Sequence, residues 1–413
     1  MSDRSTKRES GFSLLEMVGS MALGTIVLGA AVQIYIQGVS ATWTVTQRAE
    51  MQQDFRAASN ILTKDLSLAG AGLGNGAAIA LPSAQTPLYG CDQTPKCYIN
   101  NGTSGPYPQG AVPYPLQGAT PYLYGLLPGY DVGPILNTAQ GATDTVTVVY
   151  SDNNFYLNCY TPTVTALGAV TFGPATTPLV GGFPPAFPPA GCLPSGVTAP
   201  QAVNDAVVGL TPGDLVLMTL NGTQVVVEVT GAITTGTNAY GQTTYTIPFA
   251  NNDVLLMNQT PAGGGLNSVP LHTVGAAAVL GLCPCRILVI TYYLDNTVNP
   301  ARLMRQISGH SPVPVAENVV YMKFSYDLFN DATNTPAVNQ CNPGANVTCN
   351  PAPGSVGLLP NQITKINILN MAMDSTLMGT QYAQNGAECG PDQAFETDFF
   401  QSNFKQYDSA PKQ

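Results

Sequence analysis

Twenty consecutive residues, Met17 to Ile36, carry no charge, and this run constrains the chain more than anything else in it. A helix rising ~1.5 Å per residue crosses the hydrocarbon core of a bilayer in about 20 apolar residues, so the run is long enough to span a membrane. In front of it Arg4, Lys7 and Arg8 outnumber Asp3 and Glu9. A net positive leader of this kind stays on the cytoplasmic side while the following segment enters the bilayer. An ordinary secretory signal is cut behind its apolar region, after small residues. Nothing resembling Ala-x-Ala follows here, so a cut would fall in front.

Between leader and span stands Gly11-Phe12-Ser13-Leu14-Leu15-Glu16. It resembles the class III signal of type IV prepilins at all six positions. The resemblance implies cleavage after Gly11 by prepilin peptidase, methylation of the new amine on Phe12, and a role for Glu16 in neutralising the terminal amine of a neighbouring subunit. The spacing permits that role, because residues four apart share a helix face. An ionised carboxylate just inside an apolar span is expensive and needs a partner. A glutamate whose carboxylate merely reaches the headgroups is the plainer reading, and the complete hexapeptide outweighs it.

Beyond the span, Trp43, Gln47, Met51, Phe55, Ala58, Leu62 and Leu66 recur at three- and four-residue spacing. That period predicts a continued amphipathic helix, with Trp43 to Leu66 anchoring whatever follows. Gly70 is the expected terminator, since glycine readily takes the left-handed conformation past a helix end. Gly19, Gly24 and Gly29 interrupt the apolar half, either loosening it or allowing close helix packing. The expected organisation is a leader at 1–11, a membrane or filament-core helix at 12–36, an amphipathic continuation at 37–70 and a β-rich head at 71–413.

Six β-branched or aromatic runs in the head, bounded by Gly, Pro, Asn and Asp, read as antiparallel strands: 144–150, 214–218, 224–229, 287–294, 319–326 and 363–369. Pro/Gly-rich stretches at 82–135 and 171–213 read as ordered insertions, within an expansion of roughly 80–280. The expected fold class is therefore α+β, a long N-terminal helix packed on an elaborated antiparallel sheet.

Removal of residues 1–11 leaves 11 Lys+Arg against 22 Asp+Glu, a net charge near −11. This balance opposes nonspecific nucleic-acid binding, which rests on phosphate neutralisation. Arg302, Arg305 and Lys365, near predicted strands, are the candidates for a local basic patch. The nine cysteines of a head outside the cytoplasm read as a disulfide inventory. Cys91 with Cys97, and Cys341 with Cys349, would staple their own loops, and Cys159 with Cys192 would close a larger one. Cys283 and Cys285 flank Pro284, and Cys389 could join either, leaving an odd thiol. The Cys-x-Cys spacing is shorter than zinc sites use, so no metal is expected there. Asp327, Asn330, Asp331 and Asn334 do not follow the EF-hand spacing and read as a solvated turn. With His272 and His310 the only histidines, and no nucleophile elbow, zincin or phosphate-loop motif, neither catalytic residues nor a cofactor are expected. The sequons at Asn101, Asn221, Asn258 and Asn346 carry no assigned role.

The chain further resembles the PilW family of minor type IV pilins. The Ala-Gly segment Asp65 to Gly72, the arrangement from Tyr292 to Arg305, and the segments 315–327 and 362–368 carry that likeness. It implies a subunit that sits in the inner membrane with its head in the periplasm, is then trimmed, and joins other minor pilins and the major pilin on the assembly platform. It would prime or tip a filament at the cell surface, where the resemblance also allows a tip adhesin as a partner. A type II secretion pseudopilin of the bulky J class, or an adhesin acting through the insertion, are the alternative readings.

Overall fold

The computed structural model describes residues 13–73, 78–80, 88–99, 116–117, 120–129, 131–136, 141–152, 155–166, 168–174, 186–220, 223–250, 253–258, 285–298, 301–330, 335–338, 363–373 and 403–405. One helix, α1 (Leu14–Ser67), runs for 54 residues. Ser13 caps it, and Leu68 closes it by donating its N–H to the carbonyls of Asp65 and Leu66. Gly70 then takes φ +79°, as expected of the terminating glycine.

Strands follow in chain order. The first are β1 (Ala78–Ala80), β2 (Leu116–Gln117), β3 (Thr120–Tyr124), β4 (Leu126–Gly129), β5 (Thr145–Ser151) and β6 (Thr161–Ala166). Then come β7 (Ala169–Gly173), β8 (Leu215–Leu220), β9 (Thr223–Glu228), β10 (Thr234–Thr237), β11 (Thr243–Pro248) and β12 (Cys285–Asp295). The last are β13 (Arg302–Ile307), β14 (Val313–Glu317), β15 (Val319–Asn330), β16 (Thr335–Val338), β17 (Ile363–Met373) and β18 (Asn403–Lys405).

A seven-stranded sheet organises the head, in the order β14-β13-β12-β5-β4 with the β8–β9 hairpin attached to β12. Ile287 of β12 faces Ser151 of β5 on one edge and Leu215 of β8 on the other. Farther along, β13 takes over that second edge, from Ile290 to Asp295. A second sheet runs β16-β15-β17-β18, a third β10-β11-β7-β6, and a small one β1-β3-β2. Every pairing among the described strands is antiparallel.

The central strands are buried on both faces and read as continuous apolar runs split by a two-residue period. Val146, Val148 and Tyr150 of β5, with Ile290, Tyr292 and Leu294 of β12, turn towards α1. Val149, Ile287, Val289 and Tyr293 turn the other way, onto Tyr89, Cys91, Leu255 and Met257. On that second face Thr147 and Thr291 share a hydroxyl hydrogen bond of 2.8 Å, a cross-strand pair with no exposure. The β8–β9 hairpin divides two cores in the same way. Leu215 and Leu217 join the cluster around Tyr89, while Val216 and Met218 join Phe172, Ile247 and Phe249 under the third sheet.

The helix enters the head through Met51, Phe55, Ala58, Leu62, Leu66 and Ala69, all buried at three- and four-residue spacing. Each large side chain among them contributes roughly 1.5–3 kcal/mol of burial. The expectation that this seam begins at Trp43 is corrected: Trp43 is 66 % exposed and Val45 67 %. Trp43 and Val45 keep the period but lie outside the buried seam, which among the described residues starts at Met51.

The Ala-Gly segment has a specific purpose. Gly70 donates to the Val149 carbonyl at 2.8 Å, and Ser151 donates to the Ala71 carbonyl at 2.8 Å, so the chain leaving the helix lies along β5. Gly72 approaches so closely that a Cβ there would sit 2.5 Å from that of Ser151.

Candidate functional site

Among the described residues nothing covers the apolar half of α1. Leu14, Met17, Met21, Leu23, Ile26, Ile34 and Ile36 are each exposed by 60 % or more. The helix is long and apolar enough to cross a membrane, and none of its most apolar 18-residue window is buried. A surface of this size and polarity needs lipid or other apolar helices around it. Three hydroxyls along this face bond back to the helix. Ser20 donates to the Met17 carbonyl at 2.9 Å, Thr25 to that of Ala22 at 2.8 Å and Thr42 to that of Gly38 at 2.8 Å. A Cβ added to Gly19, Gly24 or Gly29 would meet nothing within 4 Å, so these positions present bare backbone to a neighbour.

Glu16 stands at the head of this surface. Its Oε2 accepts the Ser13 N–H at 3.1 Å, and the Ser13 hydroxyl accepts from the Leu15 N–H at 3.2 Å, completing a capping box. The carboxylate thus lies against the first turn, where the helix dipole favours negative charge. This local role was legible as Ser-x-x-Glu at 13–16 and was missed because the hexapeptide was read only as a signal. Gly11 and Phe12 lie outside the described residues.

A family model described as the prokaryotic N-terminal methylation motif matches residues 6–32. The chain carries a prepilin-type signal. That match supports a type IV pilin-like protein, anchored in a membrane by its N-terminal helix and then taken into a pilus-type assembly. No curated protein and no solved structure matches the chain.

The joint between helix and head is built around Asp65, which is 4 % exposed. Its Oδ1 accepts the Tyr150 hydroxyl at 3.0 Å. Its Oδ2 accepts the Tyr292 hydroxyl at 2.6 Å and Arg305 Nε at 2.7 Å. Arg305 also reaches the Tyr292 oxygen at 3.2 Å. The three partners come from β5, β12 and β13, so a single carboxylate ties the last helical turns to three neighbouring strands. Burial, then the Asp65 charge, pushes both tyrosine hydroxyls well above their ordinary range. Burial opposes the charge on Arg305, and Asp65 outweighs it, raising the guanidinium above its usual value. The Asp65 segment and the stretch from Tyr292 to Arg305, far apart in the chain, therefore meet at one point.

A second brace links the main sheet to β15. Lys323 Nζ lies 2.7 Å from Asp144 Oδ1 and also pairs with Asp131. Asp144 Oδ2 accepts the Phe324 N–H at 3.0 Å and Oδ1 the Asp131 N–H at 3.0 Å. Burial pushes Asp144 up to about 6 even though Lys323 pulls it down.

The positive charges singled out as a potential basic patch are internally neutralised. Arg302 pairs with Glu317 at 3.1 Å, Arg305 with Asp65 at 2.7 Å and Lys365 with Asp327 at 3.5 Å. The structure joins Cys91 to Cys97 and Cys159 to Cys192. Cys285 opens β12, while Cys283, Cys341, Cys349 and Cys389 lie outside the described residues, as do His272, Asp331 and Asn334. His310 Nε2 lies 3.0 Å from Asp214. Among the described residues no three His, Cys, Asp or Glu side chains gather as metal ligands.

One buried feature escaped the sequence reading. Glu228 has no exposure and Asp253 4 %. Glu228 accepts from Gln93 Nε2 at 2.5 Å and from the Leu255 N–H at 2.9 Å, while Asp253 accepts the Asn258 N–H at 3.0 Å. The Asp253 carboxyl stands as a second negative group beside Glu228 in the same buried site. Burial, then the charge of Asp253, pushes Glu228 up to about 8. Its only sequence signal is a lone carboxylate inside Val225-Val226-Val227-Glu228-Val229. Asn258, a formal sequon, is fully engaged here. It donates to the Glu228 and Ala250 carbonyls at 2.8 and 3.2 Å and accepts the Glu228 N–H at 2.9 Å.

Proposed function

We propose that this protein is a minor type IV pilin of the PilW kind, a structural subunit that joins a priming or tip complex. The observation that carries the reading is the pairing of a methylation motif at residues 6–32 with an apolar helix whose exposed half needs other helices or lipid to cover it. Prepilin peptidase cleaves after Gly11 and methylates Phe12. The span first anchors the subunit in the inner membrane with its head in the periplasm. It leaves lipid by packing on the helices of other minor pilins and the major pilin at the assembly platform, where Glu16 meets a neighbour's terminal amine. Asp65 and Arg305 keep the head fixed on the stalk while the helix is drawn out. A head this large suits one end of a fibre better than every turn of it. The role asks for no catalysis.

The test is to delete the gene and examine sheared surface filaments, with the protein traced by immunoblot. The reading predicts few or no pili in the deletion strain and protein in the sheared fraction of the parent. Normal pili accompanied by a defect in protein secretion would overturn it in favour of a type II pseudopilin.

A further inference from the structure

Lys323 meets two carboxylates within the head. Its side chain is 10 % exposed, and its Nζ lies 2.7 Å from Oδ1 of Asp144, whose side chain is 2 % exposed. The Asp131 carboxylate, 43 % exposed, pairs with the same nitrogen. The backbone fixes all three groups. Asp144 donates its N–H to the Met322 carbonyl at 2.9 Å and takes the Phe324 N–H on Oδ2 at 3.0 Å, so it is held to both chain neighbours of Lys323. Asp131, at φ +53°, turns its N–H onto Asp144 Oδ1 at 3.0 Å. Its loop is tied to the residue before Asp144, since Gly133 donates to the Thr143 carbonyl at 2.8 Å and Thr143 to that of Pro134 at 3.2 Å. An amine, a buried carboxyl and a second acid therefore stand in one preset cluster.

We propose that Lys323 and Asp144 become joined by an internal amide (isopeptide) bond, made by the folded head itself with Asp131 as the proton carrier. Nζ gives a proton to Asp131, and the freed amine attacks Cγ of Asp144. The Nζ–Cγ bond forms as the Cγ–Oδ1 bond breaks. Oδ1 leaves as water, taking the proton held by Asp131 and a second one from Nζ. An ammonium and a carboxylate thus become an amide and one water, with no oxidant, no reductant and no change in net charge. The Phe324 N–H, already on Oδ2, meets the negative charge that gathers on that oxygen during attack. Asp131 stands on the solvent side of the cluster, where the water departs. In free solution the hydration of both ions opposes this condensation. In the head, a buried ion pair carries a desolvation cost that a neutral amide does not. Groups held in contact also react as if at effective concentrations of about 10⁵–10⁸ M. Burial pushes Asp144 up to about 6, towards the neutral acid that an amine can attack. Burial lowers Lys323, but the two carboxylates outweigh it and raise it above its usual range, so proton transfer to Asp131 limits the rate. A bond made once per molecule tolerates a slow step. An ion-pair brace accounts for the contact of Lys323 with Asp144 alone. It does not need a second acid on the same nitrogen or a backbone donor on the oxygen that takes the charge. The bond would link residues 179 apart and lock β15 to the strand that follows Asp144.

The cross-link lies wholly within the head, so its test stands apart from the pilin reading. Full-length protein purified in detergent is reduced, denatured and digested with chymotrypsin, which cuts at Leu136 between the two acids, and the peptides are sequenced by tandem mass spectrometry. The expected result is a branched peptide pair joining Lys323 to Asp144, lighter than the sum of its parts by one water. Lys323→Arg keeps the positive charge without the primary amine and should give linear peptides only. Asp131→Asn removes the proton carrier and should lower the linked fraction by at least about tenfold, on the scale of general acid–base catalysis. Circular dichroism checks that both variants are folded. The parent decides the matter without either variant: Lys323 and Asp144 recovered wholly in separate linear peptides overturn the proposal and leave an ion-pair brace. Linkage of Lys323 to Asp131 overturns the choice of partner, and an undiminished linked fraction in folded Asp131→Asn overturns the role given to Asp131.

Discussion

Asp65 in the last turn of the long helix and Arg305 on β13, 240 residues apart in the chain, meet at 2.7 Å inside the head. The pair lies where a stalk pulled from a membrane would transmit force to the sheets it carries. Breaking a buried ion pair by removing one partner leaves an uncompensated charge, a loss of about 3 kcal/mol. Arg305→Ala should therefore destabilise the head by roughly that amount in urea unfolding of the reduced-detergent protein. A change below about 1 kcal/mol would mark the pair as no stronger than a surface contact.

The limits of the helix seam give a contrast between two large side chains. Leu62 is fully buried and Trp43 is 66 % exposed. Leu62→Ala should cost about 2–5 kcal/mol of head stability. Trp43→Ala should stay within about 0.5 kcal/mol, as substitutions outside packed regions do. Thermal unfolding of the two variants side by side checks both, and equal losses would restore Trp43 to the anchoring seam.

Glu228 makes stability depend on pH. Its carboxyl, ordinarily near 4.5, is pushed up to about 8 in the folded protein. Between those values the folded state holds a proton that the unfolded chain has released. Stability from this group therefore falls as pH rises through that window, by up to about 1.4 kcal/mol per unit, and levels off above it. Glu228→Gln should flatten the decline between pH 6 and 8 relative to the parent. Parallel melting-temperature profiles for the two proteins would contradict this account.

Cys159 and Cys192 are 33 residues apart, and their bond fastens the loop beside the third sheet. Replacing both by serine should lower stability by about 3 kcal/mol on chain-entropy grounds, a larger effect than opening the bond between Cys91 and Cys97, which are six apart. Chemical denaturation of the two double variants tests the order, and the reverse order would show that native-state strain outweighs loop length.

Glu16 separates two roles that the signal superimposes. A glutamine can still accept the Ser13 N–H, preserving the cap, but it carries no charge for a neighbour's amine. On the proposed assembly role, Glu16→Gln and Glu16→Ala both leave cleavage intact and both impair filament assembly. Counting surface pili in the two strains is the measurement. Full piliation with glutamine would reduce Glu16 to a capping residue.

Much of this architecture was legible because it rests on local patterns. The six predicted strands reappear as β5, β8, β9, β12, β15 and β17, each a β-branched or aromatic run that is buried on at least one face. The helix ran as its period indicated, ending at Ser67 with Leu68 as its cap, and Gly70 takes the left-handed conformation just beyond. The period also misled, since it extends to Trp43, outside the buried seam. Strands β6, β7, β10 and β11 were not recognised: runs such as Thr234-Thr235-Gly236-Thr237 look like turn sequence, and only pairing with neighbours makes them a sheet. The Asp65–Arg305 joint was invisible for a different reason. Each residue is ordinary in its own segment, and only the fold brings them together. The capping box at 13–16, by contrast, was present in four consecutive residues.

The central claim is that the N-terminus is processed as a prepilin, and the most direct measurement is the intact mass and N-terminal sequence of the protein from native membranes, with and without prepilin peptidase. The account predicts a chain that begins at N-methylated Phe12 in the parent and keeps residues 1–11 only in the peptidase-deficient strain. Residues 1–11 retained in both strains would contradict it and leave an anchored head whose Glu16 does no more than cap its helix.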